Sequence, residues 1–302
     1  MEEITKLISK KLNSLGFDLV KPFPTQRYNE NLPANCKYEP LPTFSQTKST
    51  LSILVGNTKY LWPKFLKYYY TEIFTRYSHP RYTTSSNHCA SSTSYSEGSD
   101  NEEYKQQNPL DYYTRVSMES IIEEIIQVNN LKYDVRYPFD LNEKRFVAFQ
   151  VMAENASLAY YNRVCFLNIH EEYGPWIGLR AVITLDMEGP PNSSQLFPEL
   201  KNPFPEGDKI LERKLSEIFG SKDHYYHQQP DDPETMDVNQ KDGNNISDMK
   251  LEIKNEWYKF VELRDIASRF MDKKSLDNWR YSEDQMEYHY TNNIEFLNNL
   301  FN

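Results

Sequence analysis

The sequence predicts an α+β fold with a central antiparallel sheet flanked by helices. Three observations lead there. Apolar residues recur at helical spacing from Glu2 to Leu15 and again from Pro109 to Gln127. Two strongly apolar strand patterns, Val164 to Ile169 and Trp176 to Leu185, are separated by the short turn His170-Glu-Glu-Tyr-Gly-Pro175, an antiparallel hairpin signal. A helical segment before this hairpin gives the order helix, strand, strand that suits a sheet covered by helices.

The elements follow in chain order. The N-terminal helix places Ile4, Leu7, Ile8, Leu12 and Leu15 on one side, and Gly16 stands where a helix C-cap belongs. Residues 17–49, rich in proline and aromatics, read as an extended connection. Leu51 to Val55 reads as a short buried strand. Leu61 to Phe74 reads as a helix, with Pro63 tolerable in its first turn. Residues 81–107 contain no Val, Ile, Leu or Met, so they cannot bury enough apolar area to offset their ordering entropy, and disorder is predicted. A helix over 109–127 and a strand over 131–137 come next. Lys144 to Arg163 then reads as one long helix, followed by the hairpin. Beyond a Pro-rich connector lie a helix from Asp208 to Phe219, a polar acidic tract over 228–248 that is also predicted to be disordered, and helices near 255–270 and 282–290. The organisation is one domain in three parts, 1–80, 108–227 and 249–302, interrupted by two insertions.

Composition excludes several classes. The chain has 302 residues, 38% hydrophobic, enough for a core. Its net charge of −10 argues against general nucleic-acid binding and against anionic membranes. No apolar run approaches the roughly 20 residues of a membrane span, and the N-terminal helix is not signal-like. A cytoplasmic protein is expected. Cys36, Cys89 and Cys165 form no CxxC pair, so neither a disulfide framework nor a zinc site is expected, and no metal ligand set is assigned. No GxGxxG, Walker loop, HExxH or GxSxG is present.

A few residues stand out chemically. Arg180 lies in an otherwise apolar strand, on the same face as Trp176 and Gly178. It either pairs with a carboxylate at the core edge or serves as a fork for a ligand carboxylate or phosphate. Tyr160-Tyr161-Asn162-Arg163 closes the long helix, as core packing or as an aromatic wall for a flat ligand. His170 is either a turn histidine bonded to a backbone carbonyl or a functional imidazole.

The block Tyr160-Tyr-Asn-Arg163, followed by Ile169-His-Glu-Glu-Tyr-Gly-Pro-Trp-Ile-Gly-Leu-Arg180, resembles the YYxR and IHPxxGGWxxxR segments of one family: the CblC-type cyanocobalamin reductases and alkylcobalamin dealkylases (the MMACHC family). Further similar segments are Gly16 to Pro33, Asn108 to Asp111, Tyr137 to Gln150, Leu263-Arg-Asp265 and Arg280-Tyr-Ser-Glu-Asp-Gln285, in family order from about residue 15 to 290. The resemblance implies a nitroreductase-like fold that binds cobalamin base-off. This fits the absence of the Asp-x-His-x-x-Gly motif through which other proteins supply a histidine to cobalt. It implies reductive decyanation with NADPH and FMN or FAD, and alkyl transfer to glutathione. The implied cobalamin contacts are Val147, Ala148, Phe149, Gln150, Tyr160, Tyr161, Asn162, Asn168 and Leu179. Arg180 and Arg264 match arginines that hold glutathione carboxylates. Three positions depart from the pattern: Asn168 replaces a cysteine, Arg136 replaces an acidic contact (with Asp134 nearby), and Phe296 falls on a third arginine. The implied partners are cobalamin, glutathione and a CblD-like adaptor, with a monomer or a ligand-induced homodimer as the state. Two other readings share the fold: a non-catalytic CblD-like carrier, and a nitroreductase-type flavin reductase.

Overall fold

The computed structural model describes residues 1–32, 36–44, 48–78, 102–219, 255–271 and 277–302. At its centre β1 (Leu19–Pro24), β2 (Thr50–Asn57), β3 (Tyr133–Arg136) and β6 (Gly178–Glu188) form an antiparallel sheet in the order β1-β2-β6-β3. A two-stranded ribbon of β4 (Tyr160–Asn162) and β5 (Leu167–Ile169) stands apart from it. Every residue of β2 is buried. A strand covered on both faces reads as a continuous apolar run, so 51–55 is legible in the sequence.

On one face, Leu51, Ile53 and Val55 join Ala181, Ile183 and Leu185 beneath α1 (Glu2–Ser14), α3 (Leu61–Tyr69) and α6 (Pro109–Asn129). On the other, Leu54 and Val182 pack with Phe23, with Tyr28 of α2 (Thr25–Asn29), and with Phe149, Met152 and Ala153 of α7 (Phe149–Asn155). Each buried Val, Leu, Ile, Phe or Met side chain here contributes about 1.5–3 kcal/mol relative to exposure. Three buried hydroxyls satisfy one another across the sheet: Thr25 lies 2.7 Å from Ser52, and Ser52 3.1 Å from Thr184. α1 stops as predicted. Gly16 has φ +92, its N–H bonds the Asn13 carbonyl and the Phe17 N–H bonds the Leu12 carbonyl. This is a Schellman cap, and buried Leu12 and Phe17 belong to the same core.

Four features differ from the sequence expectations. The helix over 144–163 is three pieces: a 3₁₀ turn (Glu143–Arg145), α7, and β4. α7 ends in a second Schellman cap, with Ser157 at φ +52, its N–H on the Glu154 carbonyl and the Leu158 N–H on the Ala153 carbonyl. A serine fills the left-handed position that glycine usually marks, so the stop has no sequence signal. Tyr160 to Asn162 therefore pairs as a strand rather than closing a helix.

Second, the hairpin is formed by 160–162 and 167–169, not by 164–169 and 176–185. β6 pairs with β2 and β3, and only a His170–Gly174 bridge closes the turn between the predicted partners. Trp176, fully buried with Val261, Tyr281 and Met286, draws the chain away from the ribbon. Third, the proline-rich connection contains edge strand β1. Edge strands tolerate Pro22 and Pro24 because their N–H groups can go unpaired. Fourth, Glu102–Gln107 is a helix (α5) within the stretch predicted to be disordered. The rest of that stretch, 81–101, and all of 228–248 lie outside the described residues.

The helix expected over 61–74 continues past α3 through a π-helical turn (Tyr70–Phe74) into α4 (Thr75–Ser78). The C-terminal region holds α8 (Asp208–Phe219), α9 (Trp257–Arg269), α10 (Glu283–Thr291) and α11 (Ile294–Asn299). Ser282 caps α10, its hydroxyl accepting from the Gln285 N–H at 3.3 Å. Among the described residues, no helix is long and apolar enough to cross a membrane.

Candidate functional site: an enclosed arginine pair beside an aromatic ribbon

Arg180 owes its position to a β-bulge. Val55 pairs with Ala181 and Gly56 with Leu179, which leaves Arg180 without a partner in β2. Two glycines permit this. A Cβ on Gly56 would lie 2.6 Å from the Gly178 carbonyl oxygen, and one on Gly178 would lie 2.8 Å from Asn57 Oδ1 and 3.2 Å from Arg180 Nη2. The guanidinium thus folds back over Gly178, the face that strand alternation predicts, and Arg180 Nε donates to Asn57 Oδ1 at 2.6 Å.

Arg264, on α9, reaches the same region. Its Nε donates to the Tyr290 hydroxyl at 2.8 Å and its Nη1 donates to the Pro175 carbonyl. The guanidinium stacks over Trp176 at 5.9 Å and Tyr290 at 6.0 Å. Trp176 Nε1 donates to Ser268 Oγ at 2.7 Å, and Ser268 Oγ donates to the Arg264 carbonyl at 2.8 Å. The circuit closes through Tyr281, whose ring lies 5.6 Å from Trp176 and whose hydroxyl donates to the Asn57 carbonyl at 3.5 Å.

Both guanidinium groups lie deep in the protein, and both residues keep some accessible surface. Neither forms an ion pair among the described residues. The expected ion pair with a core-edge carboxylate is not formed among the described residues, and Asp111 is coupled to Arg180 electrostatically. Burial works against the charge of Arg180 and lowers its pKa, with Tyr281 and Asp111 opposing. Burial likewise works against Arg264, but Tyr290 and Tyr281 outweigh it and the net shift is upward. Both remain guanidinium ions at neutral pH, because an arginine starts above about 12. A guanidinium carries five N–H bonds, and the contacts above use only part of each set. The remainder can receive an anion.

Of the residues that the resemblance implies for cobalamin contact, Val147, Ala148, Phe149 and Leu179 share one cluster on the α7 face of the sheet. Val147, Ala148 and Phe149 are buried at the start of α7, and Leu179 packs against the same cluster. Gln150 Nε2 donates to the Phe166 carbonyl, and Asn168 Nδ2 to the Gln150 carbonyl at 3.0 Å, tying α7 to the ribbon. Tyr161 is buried in a separate cluster with Leu211, Leu263 and Ala267. Tyr160 is half-buried, and that burial raises its hydroxyl pKa. Asn162 serves structure. Its Oδ1 accepts from the Val164 and Cys165 N–H groups and its Nδ2 donates to Asp208 at 2.8 Å, so it shapes the ribbon turn.

The three departures resolve individually. Phe296 is partly buried and packs against the main core. Arg136 is buried and bonds Asp134 at 2.8 Å, and Asp134 also bonds Arg145 at 3.0 Å, so this acidic group is already paired. Asn168 is the amide tie just described. Burial pushes the Cys165 thiol up to about 12, so it stays protonated. His170 Nδ1 accepts from the Glu172 and Tyr173 N–H groups, which corrects the expected carbonyl partner; burial lowers its pKa to about 4, with Lys21 contributing.

The sequence reading overlooked Asn57, Tyr281, His289 and Tyr290. A signal for part of this set exists, because Tyr281, Gln285, Tyr288 and His289 recur at i, i+4 and i+7/i+8, one face of a helix. It also overlooked Lys21, half-buried on β1, whose burial lowers its pKa and whose ammonium lies 5.6 Å from the Phe197 ring. An open groove of about 480 Å³ between α1 and Pro22 contains none of these residues. Among the described residues, no group of three or more His, Cys, Asp or Glu side chains is arranged to hold a metal ion.

A helix-covered antiparallel sheet carrying a two-stranded side ribbon defines an α+β protein. A solved structure with the same fold is that of a C. elegans B12-trafficking protein CblC, a human MMACHC homologue. The two superpose with a TM-score of 0.61, covering 98% of this chain and 95% of the other at 16% identity. No family profile matches the sequence, and no curated protein matches it.

Proposed function

We propose that this chain binds cobalamin base-off and removes its upper axial ligand. Supporting the reading are a fold shared with a CblC protein along nearly the whole chain and, carrying most weight, two deeply placed guanidinium groups, Arg180 and Arg264, that feel each other's charge and form no ion pair among the described residues. In the alkyl-transfer branch, the two guanidinium groups hold the carboxylates of glutathione and aim its thiolate at the alkyl carbon. A C–S bond forms, the Co–C bond breaks, and the bonding pair stays on cobalt, taking Co(III) to Co(I). Cys165, held as a thiol, is no competitor for that attack. The carbonyl oxygens of Gln150 and Asn168, whose nitrogens are committed to the backbone, suit the amide N–H groups at the rim of a corrin.

In the reductive branch cyanide leaves as cobalt accepts electrons. NADPH and FMN or FAD would supply them. The sequence has no glycine-rich dinucleotide fingerprint for such groups, so we take the flavin as a co-reactant met in solution and derive no step through it. We place the protein in the cytoplasm, with a CblD-like adaptor as partner.

A non-catalytic carrier is the second reading, favoured by Phe296 in the core and by Asn168 where a thiol would stand. An ultraviolet–visible titration with cyanocobalamin and methylcobalamin, with and without glutathione, separates the readings. The proposal expects a base-off shift and glutathione-dependent loss of methyl. Base-off binding with methylcobalamin left intact by glutathione sinks the dealkylase and leaves the carrier. Absence of cobalamin binding in equilibrium dialysis refutes both.

A further inference from the structure

The arginine pair has a third neighbour. His289, on α10, stands edge-on to Tyr281 at 6.4 Å and to Tyr290 at 5.3 Å, within the same circuit. Like the arginines it is enclosed by protein but keeps accessible surface. Neither ring nitrogen has a hydrogen-bond partner among the described residues, and no carboxylate neutralises the region by contact. An imidazole with no hydrogen-bond partner among the described residues, packed edge-on to Tyr281 and Tyr290 and coupled to two cations that form no ion pair there, is poised to respond to an anion that binds them.

We propose that His289 is a conditional third cation of this site: it takes up a proton when an anionic ligand binds Arg180 and Arg264, and then donates a charge-assisted hydrogen bond to that ligand. The inference deepens the reading of the arginine pair as an anion site and rests on it. With the site empty, burial disfavours the imidazolium, and Arg180 and Arg264 repel it, so the ring is neutral with its pKa well below 6.5. An incoming carboxylate cancels the repulsion and offers the new N–H an acceptor, and both changes raise the pKa.

The groups around His289 are Arg180 on β6, Arg264 on α9, and Tyr281 and Tyr290 from the α10 region. Tyr288 and Asp111 of α6 act on Arg180 behind them. Burial holds the Tyr281 hydroxyl up at about 12, so it does not titrate near neutrality. Asp111, whose pKa burial raises, is the competing proton acceptor.

The sign follows from linkage. The pKa of the ligand-bound form exceeds that of the empty form, so anion affinity is greatest at low pH. It falls by up to about tenfold per pH unit as pH rises between the two values. The test is calorimetric titration of the full chain with glutathione at pH 6 in buffers of differing ionisation enthalpy. Histidine-selective ¹³C NMR of the same samples identifies the titrating ring. Expected are net proton uptake on binding, a downfield titrating histidine in the bound state, and loss of both in His289→Gln with binding retained at reduced affinity. Binding without proton uptake, or uptake that persists in His289→Gln, overturns the His289 proposal and leaves the anion site standing. Failure of glutathione to bind at any pH overturns the anion site itself, and the proposal with it.

Discussion

Gly178→Ala is the sharpest test of how the sheet holds Arg180. The added Cβ would sit 2.8 Å from Asn57 Oδ1, 3.2 Å from Arg180 Nη2 and 3.3 Å from Arg180 Nε. All three are ends of polar side chains, so the clash resolves by moving the guanidinium off Asn57 rather than by moving backbone. That forfeits the 2.6 Å bond which fixes Arg180. Hydrogen bonds to charged groups contribute about 1.5–3 kcal/mol, equivalent to roughly a ten- to hundredfold loss at 1.36 kcal/mol per decade. Because the atoms met belong to side chains and not to backbone, the sheet itself is little strained. Glutathione affinity, read by calorimetry, is expected to fall by that factor. The thermal midpoint is expected to fall by about 3–12 °C, the shift from that same loss of roughly 1.5–3 kcal/mol in a domain of this size. Gly56→Ala is the contrast, because its Cβ meets the Gly178 backbone carbonyl at 2.6 Å and must deform the sheet. Unchanged glutathione affinity in Gly178→Ala, or a collapse of stability as large as in Gly56→Ala, would refute the reasoning.

Further outcomes follow from the same geometry. Arg264→Gln is expected to raise the KM for glutathione at least about tenfold through loss of charge-assisted bonds, with cobalamin affinity unchanged; loss of the base-off spectrum instead would assign Arg264 to the corrin. Trp176→Ala, at a fully buried site with the indole N–H bonded to Ser268, is expected to cost about 3–5 kcal/mol. Chemical denaturation measures it, and a cost under 1 kcal/mol contradicts the packing described. His170 has a folded pKa near 4 against an ordinary 6.5, so the unfolded chain binds the proton first. Its contribution, at most about 3 kcal/mol, is full above pH 6.5 and is lost as pH falls from 6.5 to 4. His170→Gln is expected to flatten that part of the stability–pH curve; an unchanged slope would show that His170 is not the titrating group.

The sequence by itself determined the parts of this protein that local chemistry encodes. β2 is a run of apolar residues because both its faces are covered, and α1 stops at Gly16 because glycine enters the left-handed region at little cost. Arg180 stands out because a lone cation in an apolar strand needs a partner or a purpose. Tertiary structure decided the rest. Ser157 takes a left-handed cap that only glycine would have announced, so a helix became a cap and a strand. β6 chose β2 and β3 over its sequence neighbour because those partners bury Ala181, Ile183 and Leu185 in the main core. The bulge at Arg180 and the placing of Arg264 and His289 near it arise from contacts among distant segments. A reading by local period and spacing contains no term for such contacts, so the grouping of these three side chains was not legible in the sequence.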